Sequence, residues 1–130
     1  MARVLVADVP EMESTLRDCL PGHELTFVRT MREAIFALRR DGYGLIVIGL
    51  HFDESRMIEL LSYVRGLEKY RDATVICVQG IEVNLPAPVL KSIDVAVKAL
   101  GGTAFLDLRD GAEKFSEHCG ALERVALRSG

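Results

Sequence analysis

The chain has 130 residues, of which 49% are apolar and 27% charged, and this size and composition predict a single globular domain over residues 1–130. The net charge is −3 and is spread evenly over both halves, which argues against nucleic acid as a partner. No apolar run reaches the roughly 18 residues of a membrane span and no signal region precedes the first strand, so we expect no membrane partner and a cytoplasmic location.

The first half of the chain alternates short apolar runs with helical patterns. Arg3–Ala7 reads as a buried strand closed by Asp8. A helix follows from Pro10, whose missing N–H is harmless at a first helical position. Leu25 and Phe27 alternate with polar residues, which indicates a second strand. The next helix begins with a capping box, formed by Thr30 and Glu33.

The second half repeats this alternation three times. Gly44–Leu50 is a nearly unbroken apolar run, typical of a strand that helices cover on both faces. The helix after it is predicted to start at a cap, either Asp53 or Ser55. The later elements are a strand at Thr74–Val78, a loop at Ile81–Pro88, a helix through Val89 to Leu100, a strand at Thr103–Leu106 and a final helix from Asp110 onward.

Five βα units in a row predict an α/β fold, a doubly wound parallel sheet of the flavodoxin-like type with strand order 2-1-3-4-5. In such a sheet the chain reverses between strands 1 and 3, and ligands bind in the crevice at the carboxyl ends of these strands. Asp8 and Gly49 should flank this crevice, with Gln79 and Leu108 near its other side.

Cysteine and histidine give no sign of a cofactor or metal. Cys19, Cys77 and Cys119 are too few and too scattered for a disulfide framework or a zinc site. Cys77 lies inside an apolar run and is interpreted as a small buried hydrophobe. The three histidines lack the spacing of metal ligands. No cofactor and no metal are therefore expected.

The pattern resembles the receiver domain of bacterial response regulators over residues 3–127. The resemblance rests on the strand Arg3–Ala7 with Asp8 after it, on the helix Thr30–Leu38 and on the strand Gly44–Leu50. It rests further on the runs Ala73–Val78 and Ala99–Leu106. It implies the same five-stranded fold and a role in two-component signalling.

The positions that carry chemistry in receivers are altered here. Gly49 stands where the resemblance places the phosphoacceptor aspartate. Asp8 matches the first member of the acidic pair that holds magnesium, but Val9 replaces the second. Gln79 replaces a hydroxyl residue, and Leu108 replaces the lysine that contacts the phosphorylated aspartate. These five residues are predicted to form a degenerate pocket.

The altered pocket is expected to be chemically silent. Aspartyl phosphorylation needs a carboxylate nucleophile, and glycine offers none. Phosphoryl transfer also depends on charge neutralisation by a metal and a cation, and Asp8 alone is at most a residual metal ligand. The sequence therefore predicts no phosphoacceptor, no catalytic residue and no enzyme.

Alternative roles remain open for several polar residues. Asp53 and Glu54 are possible substitute acceptors, or they stabilise the start of a helix. Asp8 either holds a residual metal or caps the following turn. Gln79 either grips an oxyanion or hydrogen-bonds to a neighbouring loop.

A contact surface is predicted around the loop before the fourth helix. Ile81, Val83 and Leu85 alternate with polar residues, and they are either exposed or folded back onto that helix. Phe105 matches the aromatic position that moves with activation in receivers. These four residues are the candidate interaction surface, near a face of helix 4, strand 5 and helix 5 through which receivers pair.

Three functions follow in order of preference. The first is a degenerate receiver, a phosphorylation-independent protein-interaction module with an unknown protein partner or a homodimer through the helix 4, strand 5 and helix 5 face. The second is a flavodoxin-like domain that binds a small anionic ligand in the crevice between strands 1 and 3. The third is a phosphorelay receiver with unusual residues.

Overall fold

A computed structural model describes residues 1–81, 85–109 and 114–129. Its centre is a five-stranded sheet in which every neighbouring pair of strands is parallel, in the order β2-β1-β3-β4-β5. This is the predicted α/β fold and strand order. The strands are β1 Arg3–Ala7, β2 Glu24–Val28, β3 Leu45–Gly49, β4 Thr74–Gln79 and β5 Ala104–Asp107.

Helices cover both faces of the sheet. They are α1 Glu13–Cys19, α2 Met31–Arg40, α3 Met57–Arg65, α4 Ala87–Ala99 and α5 Phe115–Ser129. The expected helix from Pro10 begins as a 3-10 turn, Pro10–Met12, before α1. The expected start of the final helix at Asp110 lies outside the described residues. Among those described, no helix has the length and apolar character needed to cross a membrane.

Two apolar cores lie on opposite faces of the sheet because the side chains of a strand alternate. Leu5, Ile46 and Cys77 pack under α2, α3 and α4. The intervening residues of the strands, such as Val6 and Val47, pack under α1 and α5. All five residues of β3 are buried, as the apolar run predicted for a strand covered on both faces.

The capping box at the start of α2 is confirmed. The Glu33 backbone N–H donates to the Thr30 hydroxyl at 3.1 Å. The Glu33 carboxylate accepts from the Arg29 backbone N–H at 2.8 Å. Two N–H groups that the helix cannot satisfy are thereby paired, which directs the chain from β2 into α2.

The prediction that Asp53 or Ser55 caps the following helix is wrong. Asp53, Glu54 and Ser55 all have positive φ, at 43°, 58° and 67°. They form a left-handed turn before α3, which has no side-chain cap. The Asp53 carboxylate instead accepts from the backbone N–H of Met31 at 2.8 Å, so it caps α2 on the neighbouring βα unit.

The sequence argument that the cysteines are too few and too scattered for a disulfide framework missed one bond. Cys19 and Cys119 are bonded, with their Cα atoms 5.1 Å apart. They are 100 residues apart in the chain, but they lie on α1 and α5, which pack side by side on one face of the sheet. Cys77 is free and buried, as predicted.

Candidate functional site

The crevice between β1 and β3 is built around Asp8 and Gly49. The strands are paired as far as Ala7 and Ile48, so these two residues follow at the same edge of the sheet. A Cβ atom added at Gly49 would lie less than 3.0 Å from the carboxyl carbon and both carboxyl oxygens of Asp8. The Asp8 side chain therefore occupies the space that a side chain at position 49 would need.

Asp8 is buried and incompletely paired. Its Oδ1 accepts a hydrogen bond from the backbone N–H of the adjacent Val9 at 2.8 Å. The predicted cap of the following turn is not formed, because the turn Pro10–Met12 has no side-chain cap. Its Oδ2 is buried and has no partner in the described part of the chain. Removal from water raises the pKa of the Asp8 carboxyl to about 7; the Val9 hydrogen bond lowers it, and the negative charge of Glu11 raises it.

These conditions do not favour a cation. A buried carboxyl that is largely protonated below pH 7 makes a proton compete with any metal. Val9 stands at the position that the resemblance to receivers assigns to the second acid of the metal-binding pair. Its half-buried side chain packs against the core under α1 and α5. No group of three histidine, cysteine, aspartate or glutamate residues in the described ranges could hold a metal ion.

Met12 closes the crevice from the side of β4. A Cβ atom added at Gly80 would come within 3.0 Å of the sulfur and methyl carbon of Met12. Met12 is 2% exposed, although it belongs to the short turn before α1. The thioether thus covers the backbone just past β4, where the chain leaves the sheet.

Gln79 and Leu108 lie next to each other, as predicted for the other side of the crevice. The Leu108 backbone N–H donates to the carbonyl oxygen of Gln79 at 2.7 Å. The Leu108 side chain is buried in the core under α1 and α5, so it presents no charge to the crevice. Neither Oε1 nor Nε2 of Gln79 has a partner among the described residues. The predicted bond from the Gln79 amide to a neighbouring loop stays a prediction, because residues 82–84 and 110–113 lie outside the described part of the chain.

An ion pair at the end of β5 was missed by the sequence analysis. Asp107 and Arg109 form a chelated pair, with Nη2 to Oδ2 at 2.6 Å and Nε to Oδ1 at 2.9 Å. Burial raises the pKa of Asp107, but the hydrogen bonds and charge of Arg109 outweigh it and the net pKa is lowered. The acid and the base flanking Leu108 were the available signal, since i and i+2 side chains of an extended chain share a face.

The candidate substitute acceptors lie apart from this arrangement. Asp53 accepts from the α2 backbone and from the Arg56 guanidinium at 3.2 Å, so its carboxylate is already engaged. Glu54 is exposed on the left-handed turn. The interpretation of Asp53 as a capping residue holds, although the helix that it caps is α2.

The predicted contact surface is only partly exposed. Ile81 is half-buried and packs on the core under α1 and α5, so it neither projects into solvent nor folds onto α4. Phe105 is half-buried and packs on the opposite core, and Leu85 is half-buried. Val83 lies outside the described residues. Exposed apolar side chains lie instead on α4, at Val89 and Val95, and directly after it, at Leu100.

An apolar groove runs beside that exposed row. It lies between the start of α3 and α4, and its volume is about 380 Å³. Met57 and Ile93 contribute to its floor, and Ile58 and Val89 to its exposed rim. The surface of α4 that is turned towards α3 is therefore apolar.

The fold matches a group of solved structures, although no protein-family model and no curated protein matches the sequence. A response regulator from Hahella chejuensis aligns with a TM-score of 0.77 and 20% identity, over 98% of this chain and 96% of that one. The phosphorylated cyanobacterial phytochrome response regulator RcpA gives 0.76 and 15%, over 99% and 96%. Chemotaxis response regulator CheY4 of Vibrio cholerae gives 0.72 and 20%, over 96% and 98%. The chain therefore has the fold of response regulator receiver domains.

Proposed function

We propose that this chain is a single degenerate receiver domain that acts in two-component signalling as a protein-interaction module, without aspartyl phosphorylation and without enzymatic activity. The observation that carries the proposal is the position of the Asp8 carboxyl group, which lies over the backbone of Gly49. The residue in the phosphoacceptor position has no nucleophile, and the one acid retained from the metal-binding pair fills the vacated space. Phosphoryl transfer needs a carboxylate nucleophile at the first of these positions and a metal-binding carboxylate at the second.

The surroundings of this pair support the same proposal. A metal-assisted transfer places cations around the phosphoryl oxygens. At the corresponding positions Val9 and Leu108 carry apolar side chains, which pack with Met12 in the core under α1 and α5 and supply no cation and no metal ligand. Restoring a carboxylate at Gly49 alone would leave all three in place.

Exposure to a phosphodonor tests this proposal. The protein is incubated with acetyl phosphate and magnesium, and its intact mass is measured. We expect no adduct. The matched variant carries Gly49→Asp, Val9→Asp and Leu108→Lys, and should gain more phosphoryl groups than Gly49→Asp alone. A stoichiometric adduct on the unaltered chain would overturn the proposal and point to another acceptor.

We propose that the partner face is that of α4, β5 and α5. Val95 on α4 is 57% exposed, and Leu100, directly after α4, is 40% exposed. Apolar anchors surrounded by polar residues are typical of binding surfaces. The partner is a protein of unknown identity, or a second copy through this same face. Val95→Lys should weaken partner capture with little change in thermal stability. Lys91→Ala, at another exposed position of α4, should leave partner capture unchanged.

A small anionic ligand in the crevice is the second candidate function. The Gln79 amide favours it: this amide has no partner among the described residues, and a buried amide without partners gains most from a polar ligand. A thermal shift series with inorganic phosphate and nucleotides tests this function, with Gln79→Leu as the control. A shift on the unaltered chain that disappears in Gln79→Leu would support the ligand site over the interaction module.

The cytoplasm remains our proposed location. The Cys19–Cys119 disulfide is the observation that weighs against it, because disulfides are rare in reducing compartments. Thiol trapping in intact cells, followed by a non-reducing gel, measures the state of this bond. A fully oxidised pair in cells would favour a location outside the cytoplasm.

A further inference from the structure

The strand β2 lies at one edge of the sheet and keeps hydrogen-bonding groups unused. Its inward bonds to β1 include the Glu24 N–H, which donates to Ala2 at 3.0 Å, and the Val28 carbonyl, which accepts from Asp8 at 3.2 Å. Alternate residues of a strand bond to the same neighbour, so the N–H and C=O groups of Leu25 and Phe27 point away from the sheet.

A surface cavity of about 460 Å³ runs beside this edge, between β2 and α2. Thr26 and Val28 supply its strand side, and Ala37 and Phe36 its helix side. Phe36 is 63% exposed, which is unusual for a phenylalanine without a binding partner. The Arg40 guanidinium lies 5.9 Å from the ring and leaves its outer face in solvent.

Charged residues stand at both ends of the β2 edge, and Arg32, Glu33, Arg40 and Asp41 also line the cavity. Glu24 is at the start of β2, with its carboxylate 3.7 Å from the Arg3 guanidinium. Arg32 is in the first turn of α2, close to the end of β2, and is exposed. No acidic partner of Arg32 occurs among the residues that the structure describes. The β2 edge thus has Glu24 at its start and, close to its end, Arg32 without an acidic partner among the described residues.

We propose that this edge is a self-association surface, at which β2 pairs antiparallel with β2 of a second copy of the chain. A two-fold axis through Thr26 puts Leu25 of each copy opposite Phe27 of the other. Each such pair exchanges two hydrogen bonds in an antiparallel ladder, so all four outward donors and all four acceptors have suitable geometry for pairing across the axis. The result is a continuous ten-stranded sheet.

Charge complementarity indicates that the strand pairing with this edge is β2 of another copy of the chain. In this register Glu24 of one copy lies opposite Val28 of the other, which is the end of the cavity where Arg32 lies. The two-fold axis repeats this Glu24–Arg32 pairing on both sides. An antiparallel arrangement of identical edges therefore satisfies the unpaired Arg32 twice, whereas a parallel arrangement would put like ends together.

The apolar part of the cavity supports the same arrangement. Phe36 lies on the open side of α2, in the cavity that the second β2 would enter. Covering this ring removes apolar area from water, at about 25 cal/mol per Å². The inference stands apart from the proposed function, since it uses the opposite edge of the sheet from α4 and β5 and does not depend on phosphorylation.

Sedimentation velocity over a concentration series tests the pairing. The unaltered protein should move from the mass of one chain to that of two as its concentration rises. Thr26→Lys places two like charges directly opposite each other on the axis, so the dissociation constant of the dimer should rise about fivefold. Thr103→Lys makes the same change at an exposed position at the start of the other edge strand and should leave the dimer intact.

A charge exchange tests the register. Glu24→Arg and Arg32→Glu should each weaken the dimer, and the double variant should restore it. Circular dichroism checks that every variant is folded. A single-chain mass at all concentrations, or a dimer that Thr26→Lys leaves unchanged, would overturn the proposal. A dimer that Val95→Lys dissociates while Thr26→Lys does not would assign the contact to α4 instead.

Discussion

The carboxyl group of Asp8 lies over the backbone of Gly49, at the place where any larger residue would put its Cβ atom. One residue ends β1 and the other ends β3, so the contact spans the crevice at the reversal of the sheet. The missing side chain at position 49 makes room for this buried acid. The pair also makes the crevice sensitive to substitution and to pH.

Gly49→Ala should destabilise the protein because the new methyl group must displace the Asp8 carboxyl. Overpacking of a buried site costs about 1–3 kcal/mol in the free energy of unfolding. Gly42→Ala is the control, since a Cβ atom there meets nothing within 4 Å. Urea denaturation measures both variants. Equal effects at the two positions would show that Asp8 moves aside without cost.

Asp8 should make the protein less stable as the pH rises from about 4 to 7. Its pKa is about 7 in the folded state against 3.8 for the ordinary side chain, so the folded protein holds a proton that the unfolded chain releases. The stability from this group is complete below the unfolded pKa and lost as pH rises through the folded one. A shift of this size corresponds to about 4 kcal/mol as an upper bound.

Asp8→Asn isolates this contribution. The amide keeps an acceptor for the Val9 N–H and cannot ionise, so the variant should be more stable than the unaltered protein at pH 8 and similar to it at pH 4. Asp18→Asn, at an exposed position of α1, should leave the pH profile unchanged. Thermal unfolding at each pH provides the comparison. A pH profile that Asp8→Asn does not flatten would contradict the assignment.

Breaking the Cys19–Cys119 bond should lower stability substantially. The bond closes a loop of 100 residues in the unfolded chain, and the chain-entropy argument gives a contribution of about 4.7 kcal/mol at this length. Replacement of both cysteines by serine should lower the unfolding midpoint. A reductant should lower the midpoint of the unaltered protein and leave that of the double variant unchanged.

A thiol count checks the same assignment independently. Burial raises the pKa of the Cys77 thiol to about 12, so this free cysteine should not react with a thiol reagent in the native state. Under denaturing, non-reducing conditions one thiol should react among the three cysteines of the chain. Three reactive thiols in the denatured protein would exclude the bond.

Glu54→Gly should stabilise the protein. Glu54 has φ of 58°, a conformation that costs a residue with a Cβ atom roughly 1–2 kcal/mol and costs glycine little. The side chain is exposed, so little packing is lost. Lys91→Gly, within α4, should have the opposite sign and destabilise by about 1 kcal/mol. Chemical denaturation of both variants tests the left-handed turn before α3.

The pattern of the sequence was sufficient to predict the architecture. A strand buried on both faces must be apolar at every position, and Leu45–Gly49 follows that rule without help from distant residues. Repeated alternation with helical stripes then leaves few topologies, because crossovers between parallel strands are right-handed. The hydrogen bonds of Thr30 and Glu33 at the start of α2 were equally predictable from the sequence, since the bonded residues lie within four positions of each other.

The contents of the crevice needed the tertiary structure. The absence of a nucleophile at Gly49 follows from the identity of one residue. The position of the Asp8 carboxyl over Gly49 depends on how β1 and β3 are paired. The unpaired amide of Gln79 likewise depends on which groups surround it in space. Burial and solvation are properties of the assembled sheet, and they decide the pKa of Asp8.

The sequence by itself determined the fold and the absence of a nucleophile at Gly49, because periodicity and residue identity are local properties. Only the tertiary structure decided that Cys19 meets Cys119 and that Asp53 caps α2. Each of these contacts joins residues on different βα units, at separations of 100 and 22 positions. No local pattern encodes such a meeting, because it results from the packing of neighbouring helices and loops on the sheet.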